Sequence, residues 1–409
     1  MSDAAQQVPQ KRVRPRVALI FTTALLGVFY FIYLVSVISL MIAMRAKGHD
    51  LAMTLTQELP QSDFARFWYV GQRLLMRDAA ALGFHLAPSA WFVRSFPLDI
   101  LSSAAPPAKM WLYPPPMGLL AMPFALLPLA PAFWVWRGVS VVVAALLLRR
   151  AGLGWGVIVA GLASTAALHD LVGGQNGTLV GGLLVSALLL AETRPGLAGA
   201  LAGALVVKPQ MALVFPMIVL RSGSAKLLAV GALTALALAL LSWLAEGTQA
   251  WVWFLIVGRP AATLVAEQPF SVFFPAAGIT VFSMARGLGA GLHAAWAWQA
   301  VSSVAALGLV WVAWRPGTMA SQPRMAFTCA LGVLAMPYGF AYDLVAFSLG
   351  MTALYPRASG WERLMPGLLW LMGGYTITLA NYTGLVLFPV FAVLGAALAW
   401  RLRASPAAQ

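Results

Sequence analysis

Charge is what this chain has least of. Only 9% of its 409 residues are Asp, Glu, Lys or Arg, where a soluble domain carries roughly 25%. A soluble globular fold is therefore excluded, and the backbone groups of an apolar chain must be satisfied within its own helices. Cysteine is reduced to Cys329, in an apolar run, which rules out a disulfide within the chain. Histidine appears four times, never clustered, and there is no C-x-x-C, so spacing offers no metal site. What is present is apolar: 61% of residues are hydrophobic and the mean hydropathy is +0.84. Sixteen Trp and nine Tyr suit the two interfacial belts of a bilayer. The net charge of +14 does not indicate a nucleic-acid partner. Its basic residues stand singly or in pairs at the ends of apolar runs, the pattern that sets membrane orientation.

Read in order, the chain predicts an all-α polytopic membrane protein, with 1–409 as a single integral membrane domain. Lys11, Arg12, Arg14 and Arg16 precede an apolar run at 17–43, too long for a signal-peptide core and read as a retained first helix. Residues 44–131 form a first outer loop carrying short juxtamembrane helices, since the run at 118–129 falls short of the roughly 20 residues a span needs. Further runs at 132–148, 154–168, 178–191, 198–207, 211–220 and 227–245 lead to a second outer loop at 246–293. Five more follow, from 294–314 to a last one ending at Arg401 and Arg403. This gives about twelve spans with both termini cytoplasmic, and it places Arg149, Arg150, Arg221 and Arg315 on the inner side.

On that topology nine of the twelve acids fall outside: Asp50, Glu58, Asp63, Asp78, Asp99, Asp170, Glu246, Glu267 and Asp343. A transporter more often places its ionisable groups near the midplane, so polar chemistry on the outer face is the reading to weigh. Asp63 has the best setting, at the head of the stretch DFARFWYVGQRLL with Arg66 one helical turn on. The aromatics of that stretch predict a short amphipathic helix lying against a bilayer surface. Asp63 is a candidate general base; a plain helix N-cap is the alternative. Lys208, beside the helix-breaking Pro209, is a candidate cation for a lipid phosphate or a snorkelling anchor. Arg137 sits within an apolar run, where a charge needs a partner or an aqueous cavity. Gly173-Gly174-Gln175-Asn176-Gly177 suits either a backbone approach to a polar ligand or a tight turn. Tyr113-Pro114-Pro115-Pro116 reads as an extended turn before a helix. Asp343, after Tyr338 and Tyr342, is a second membrane-edge carboxylate or a packing contact.

Five motifs in order carry a resemblance. They are D-F-x-R-x-W-Y from Asp63, Y-P-P from Tyr113, G-Q-N from Gly174, A-L-V-V-K-P-Q from Ala204, and P-Y-x-x-x-Y-D-L from Pro337. Together they resemble glycosyltransferase family 87, which includes a mycobacterial mannosyltransferase of phosphatidylinositol mannosides that uses polyprenol phosphate mannose. The resemblance implies a GT-C fold and a multi-pass enzyme of the bacterial cytoplasmic membrane, with its active site on the outer, periplasmic face. A hexose, mannose by analogy, would pass from a polyprenyl phosphate sugar to an acceptor hydroxyl of a lipid or glycan. Asp63 would be the catalytic base of an inverting displacement. Lys208, Arg66, Arg137 and Tyr338 would serve the donor phosphate, and Tyr113, Asp170, Gln175, Asn176, Tyr342 and Asp343 the sugar or acceptor. No metal or other cofactor is implied. Tyr338 stands where many relatives carry histidine, so the family's possible phosphate-binding group is changed here. A lipid or solute transporter without chemistry is the competing class, and a scaffold subunit of envelope assembly a third. Transfer of sugar from a polyprenyl phosphate donor by purified protein distinguishes them.

Overall fold

The computed structural model of the chain describes residues 23–36, 63–75, 112–270 and 277–404. Among these the structure is helical, and pairing of extended backbone is confined to one bridge, Gly278 to Phe340. Asp50, Glu58, Asp78 and Asp99 lie outside the described residues.

In chain order the helices are α1 (Thr23–Ser36), α2 (Asp63–Leu75), α3 (Pro115–Ala121), α4 (Leu129–Arg150), α5 (Trp155–Leu162) and α6 (Thr165–Gly173). Next come α7 (Gly177–Leu190), α8 (Pro195–Ala204), α9 (Phe215–Ser222), α10 (Ala225–Glu246), α11 (Thr248–Trp253) and α12 (Arg259–Glu267). The series closes with α13 (Val281–Gly287), α14 (Leu292–Ala313), α15 (Ser321–Ala335), α16 (Val345–Leu354), α17 (Leu364–Thr383) and α18 (Phe388–Arg401).

Three of them, α4, α10 and α14, have 22 residues and the composition to cross a bilayer. At 1.5 Å per residue each reaches about 33 Å, enough for a hydrocarbon core of roughly 30 Å. Their apolar residues face outward: Leu228, Leu233, Leu236, Leu240 and Leu244 of α10 are all exposed. Such a surface is stable in lipid and not in water. A fourth span arises if α5 and α6 are counted together, bent by 55° at their junction. Ser164 causes the break there, its side chain accepting the Ala167 N–H at 3.2 Å and so starting α6 as a new helix.

The sequence predicts about twelve spans; among the described residues three helices, or four, are long and apolar enough to cross. The remaining runs form shorter helices, and two of these, α7 and α16, face protein. In α7 every residue except Leu183 is buried, and every residue of α16 is. Hydropathy cannot separate a helix wrapped in lipid from one wrapped in other helices, because both are apolar all round. The run at 198–220 breaks as Pro209 requires. Here α8 gives way to the 3-10 turn Leu205–Val207, then Lys208 (φ −150°), then the 3-10 turn Pro209–Ala212 before α9.

Helix α2 spans the residues expected of it but not the setting. Phe64 and Phe67 are buried against protein, with ring centroids 5.4 Å from Phe133 and 5.7 Å from Trp136 of α4. Trp68 donates to the Leu127 carbonyl at 2.8 Å. The aromatic face that suggested a bilayer surface thus packs on α4 and on the short turns after α3.

Candidate functional site

A cavity of about 590 Å³ opens among the loops that join these helices. All five motifs reach it: Arg66 from the first, Tyr113 and Pro114 from the second, Gln175 from the third, Lys208 to Gln210 from the fourth, and Tyr338, Tyr342 and Asp343 from the last. Residues nearly 280 positions apart in the sequence are brought together by local devices at each turn.

The first device is the α6–α7 turn. Gly174 ends α6 in the left-handed region at φ +65°, where a Cβ would also strike Phe64 and Phe133. Asp170 then caps α7: its carboxylate accepts the Gly177 N–H at 2.6 Å, the Thr178 N–H at 2.8 Å and the Thr178 hydroxyl at 2.6 Å. A carboxylate at that end also complements the helix dipole. Position 177 requires glycine, since any Cβ there would overlap the carbonyl of Tyr342. The turn presents Gln175 and Asn176 side by side. Gln175 accepts the Tyr113 hydroxyl at 2.9 Å, and its carbonyl accepts Trp136 Nε1 at 3.1 Å.

The second device is the break at Lys208, which exposes no charge to bulk water: Lys208 and Asp343 are each 3% exposed. The ammonium contacts Asp343 Oδ1, donates to Asn176 Oδ1 at 3.0 Å, and lies 4.6 Å from the ring centroid of Tyr342. Asp343 in turn accepts the Phe340 N–H through Oδ2 at 3.0 Å, which fixes the turn carrying Tyr338 and Tyr342. Lys208 therefore ties together the third, fourth and fifth motifs.

The expected site residues divide accordingly. Arg66, Tyr113, Gln175, Lys208, Tyr338, Tyr342 and Asp343 border the cavity. Asn176 and Asp170 are fully buried behind it, one holding Lys208 and the other holding α7. Arg137 is elsewhere: its guanidinium lies 4.9 Å and 4.7 Å from the ring centroids of Phe133 and Trp134, away from the cavity wall. Asp63 is the first residue of α2, one turn before Arg66, and is described in its backbone. The wall also holds His169, Gln210, Arg259 and Trp296, which the sequence reading did not select. The sign for Arg259 was present in the Arg-Pro pair of the second outer loop.

The fold and cavity define a helical membrane protein whose separated sequence segments meet at one polar, cation-bearing site. The sequence model of glycosyltransferase family 87 matches residues 111–337, more than half of the chain. The chain belongs to that family and is a membrane glycosyltransferase, which takes a sugar donor and an acceptor. The matched stretch includes Tyr113, Gln175 and Lys208, while Asp63 and Asp343 lie outside it. Comparison with curated proteins and with solved structures gives no match.

Proposed function

We propose that the protein moves a hexose, mannose by family analogy, from a polyprenyl phosphate sugar to an acceptor hydroxyl at the outer face of the bacterial cytoplasmic membrane. The observation that carries this reading is the convergence of all five motifs on the one cavity, with Arg66 on its wall one turn after Asp63. On this reading the apolar runs complete the twelve-span topology and the lipid tail lies between helices. The reaction is a single inverting displacement. The acceptor oxygen bonds to the anomeric carbon, the bond from that carbon to the phosphate oxygen breaks, and the acceptor proton passes to Asp63. Negative charge grows on the leaving phosphate, and Arg66 and Lys208 are the wall cations proposed to offset it, without a metal ion. Tyr338 stands on the same wall. Tyr113, Gln175, Tyr342 and Asp343 are proposed to orient the sugar or the acceptor, with Asn176 and Asp170 acting through the groups they hold.

The test is Asp63→Asn in proteoliposomes supplied with polyprenyl phosphate mannose. Asn keeps the shape of Asp at the first position of α2, and losing the carboxylate's interaction with the helix dipole is expected to cost only about 0.3–1 kcal/mol of stability. Loss of a general base costs about 10²–10⁴ in rate, so the expected protein is folded, binds donor and transfers almost nothing. Transfer at near the wild-type rate overturns the assignment of Asp63.

A further inference from the structure

The charge balance of the cavity wall is uneven. Among the described residues it holds three cations of Arg and Lys type, Arg66, Lys208 and Arg259, and a single carboxylate, Asp343. That carboxylate is committed to Lys208. The nearest acid on α12, Glu267, accepts Trp296 Nε1 at 2.7 Å. Arg259 thus adds positive charge to the wall that Asp343 does not offset, and its side chain is exposed to the opening.

Arg259 reaches the wall through an irregularity in the backbone. Between α11 and α12 the residues Phe254–Gly258 form a π-helix, and the Arg259 N–H bonds to the Phe254 carbonyl five residues back. In an α-helix, residues five apart point about 140° from one another. The i→i+5 turn stacks them instead, and both Phe254 and Arg259 line the cavity. From Arg259 onward Ala262, Thr263 and Ala266 continue on the same wall, with the 3-4-7 spacing of one helical face. At its present length the segment wound as plain α-helix would turn Arg259 about 140° from Phe254, and the π-turn absorbs the extra residue so that both stay on one face. π-turns are rare and gather at functional sites. A guanidinium is the side chain suited to bidentate contact with phosphate oxygens.

We propose that Arg259 binds the phosphate of the lipid donor, and of the lipid monophosphate left after transfer, and that the π-turn serves to bring it there. This rests on the reading of the cavity as a donor site. The experiment measures binding of undecaprenyl monophosphate, and of undecaprenol as the uncharged control, to the full-length protein in nanodiscs. Arg259→Gln is expected to weaken monophosphate binding about 10- to 100-fold, the range for a lost charge-assisted hydrogen bond. It should leave undecaprenol binding unchanged, and Arg259→Lys should retain part of the affinity. Deleting Ile256, exposed within the π-turn, leaves Phe254 and Arg259 four residues apart in a regular α-helix, about 40° from one another, so monophosphate binding should be kept, and its loss would overturn the role given to the π-turn. Monophosphate bound by Arg259→Gln as tightly as by the wild type overturns the proposal. A wild-type protein that does not distinguish monophosphate from undecaprenol overturns the donor-site reading together with it.

Discussion

Lys208 and Asp343 form an ion pair that neither residue can leave without exposing a buried charge. Such pairs gain little over apolar residues of the same shape, but removing one partner alone costs about 3–5 kcal/mol because the other charge is stranded. Lys208→Met should therefore lower stability in denaturation experiments by that amount. Lys208→Met combined with Asp343→Asn should recover most of it, since the Asn oxygen can still accept the Phe340 N–H that Asp343 now takes at 3.0 Å. A single variant as stable as the wild type would mean that the contact carries no energy. The same residues show where sequence reading stops. Lys208 was legible as a cation at a broken helix, because Lys-Pro has a local signature. Its counter-ion was not, because no local pattern links positions that meet only after the helices between them have packed.

At the scale of elements, α7 depends on how closely it approaches the turn before α16. Gly177→Ala would drive a methyl into the Tyr342 carbonyl, and overpacking of this kind costs about 1–3 kcal/mol. Gly308 of α14 is the matched control, since a methyl there would meet nothing within 4 Å. Gly308→Ala should stabilise by up to about 1 kcal/mol through helix propensity alone. Thermal unfolding of both variants checks the pair, and a Gly177→Ala protein no less stable than wild type would contradict the packing described. Legibility followed lipid contact. The runs expected at 132–148, 227–245 and 294–314 became α4, α10 and α14 within a few residues, since lipid demands apolarity along the whole length. The boundaries of α2 were legible too, but not its partners Phe133 and Trp136. The π-turn before Arg259 has no compositional signature at all, so helical periodicity read through it assigns the wrong face.

For the whole molecule the open question is orientation, and Cys329 simplifies its measurement. The single native thiol is 3% exposed, so introduced cysteines can be labelled with little background. Ser222, at the exposed end of α9, and Leu288, exposed after α13, lie on opposite sides in the proposed topology. A membrane-impermeant maleimide should label Leu288→Cys in intact cells and Ser222→Cys only after permeabilisation. The reverse pattern would invert the protein and move the cavity to the cytoplasmic face.

The ion pair at the base of the cavity also has a history in time. Lys208 leaves the ribosome about 135 residues before Asp343, which at 5–20 residues per second is an interval of roughly 7–27 s. Throughout that interval a lysine destined for a buried position has no carboxylate. Asn176, which accepts its ammonium, and the aromatic ring of Tyr113, 5.9 Å away, are both N-terminal to it and already made. They form a neutral cradle that can hold the charge until its partner arrives. Assembly of the cavity is thereby ordered: its N-terminal wall can form around Lys208 during synthesis, and the last motif closes it.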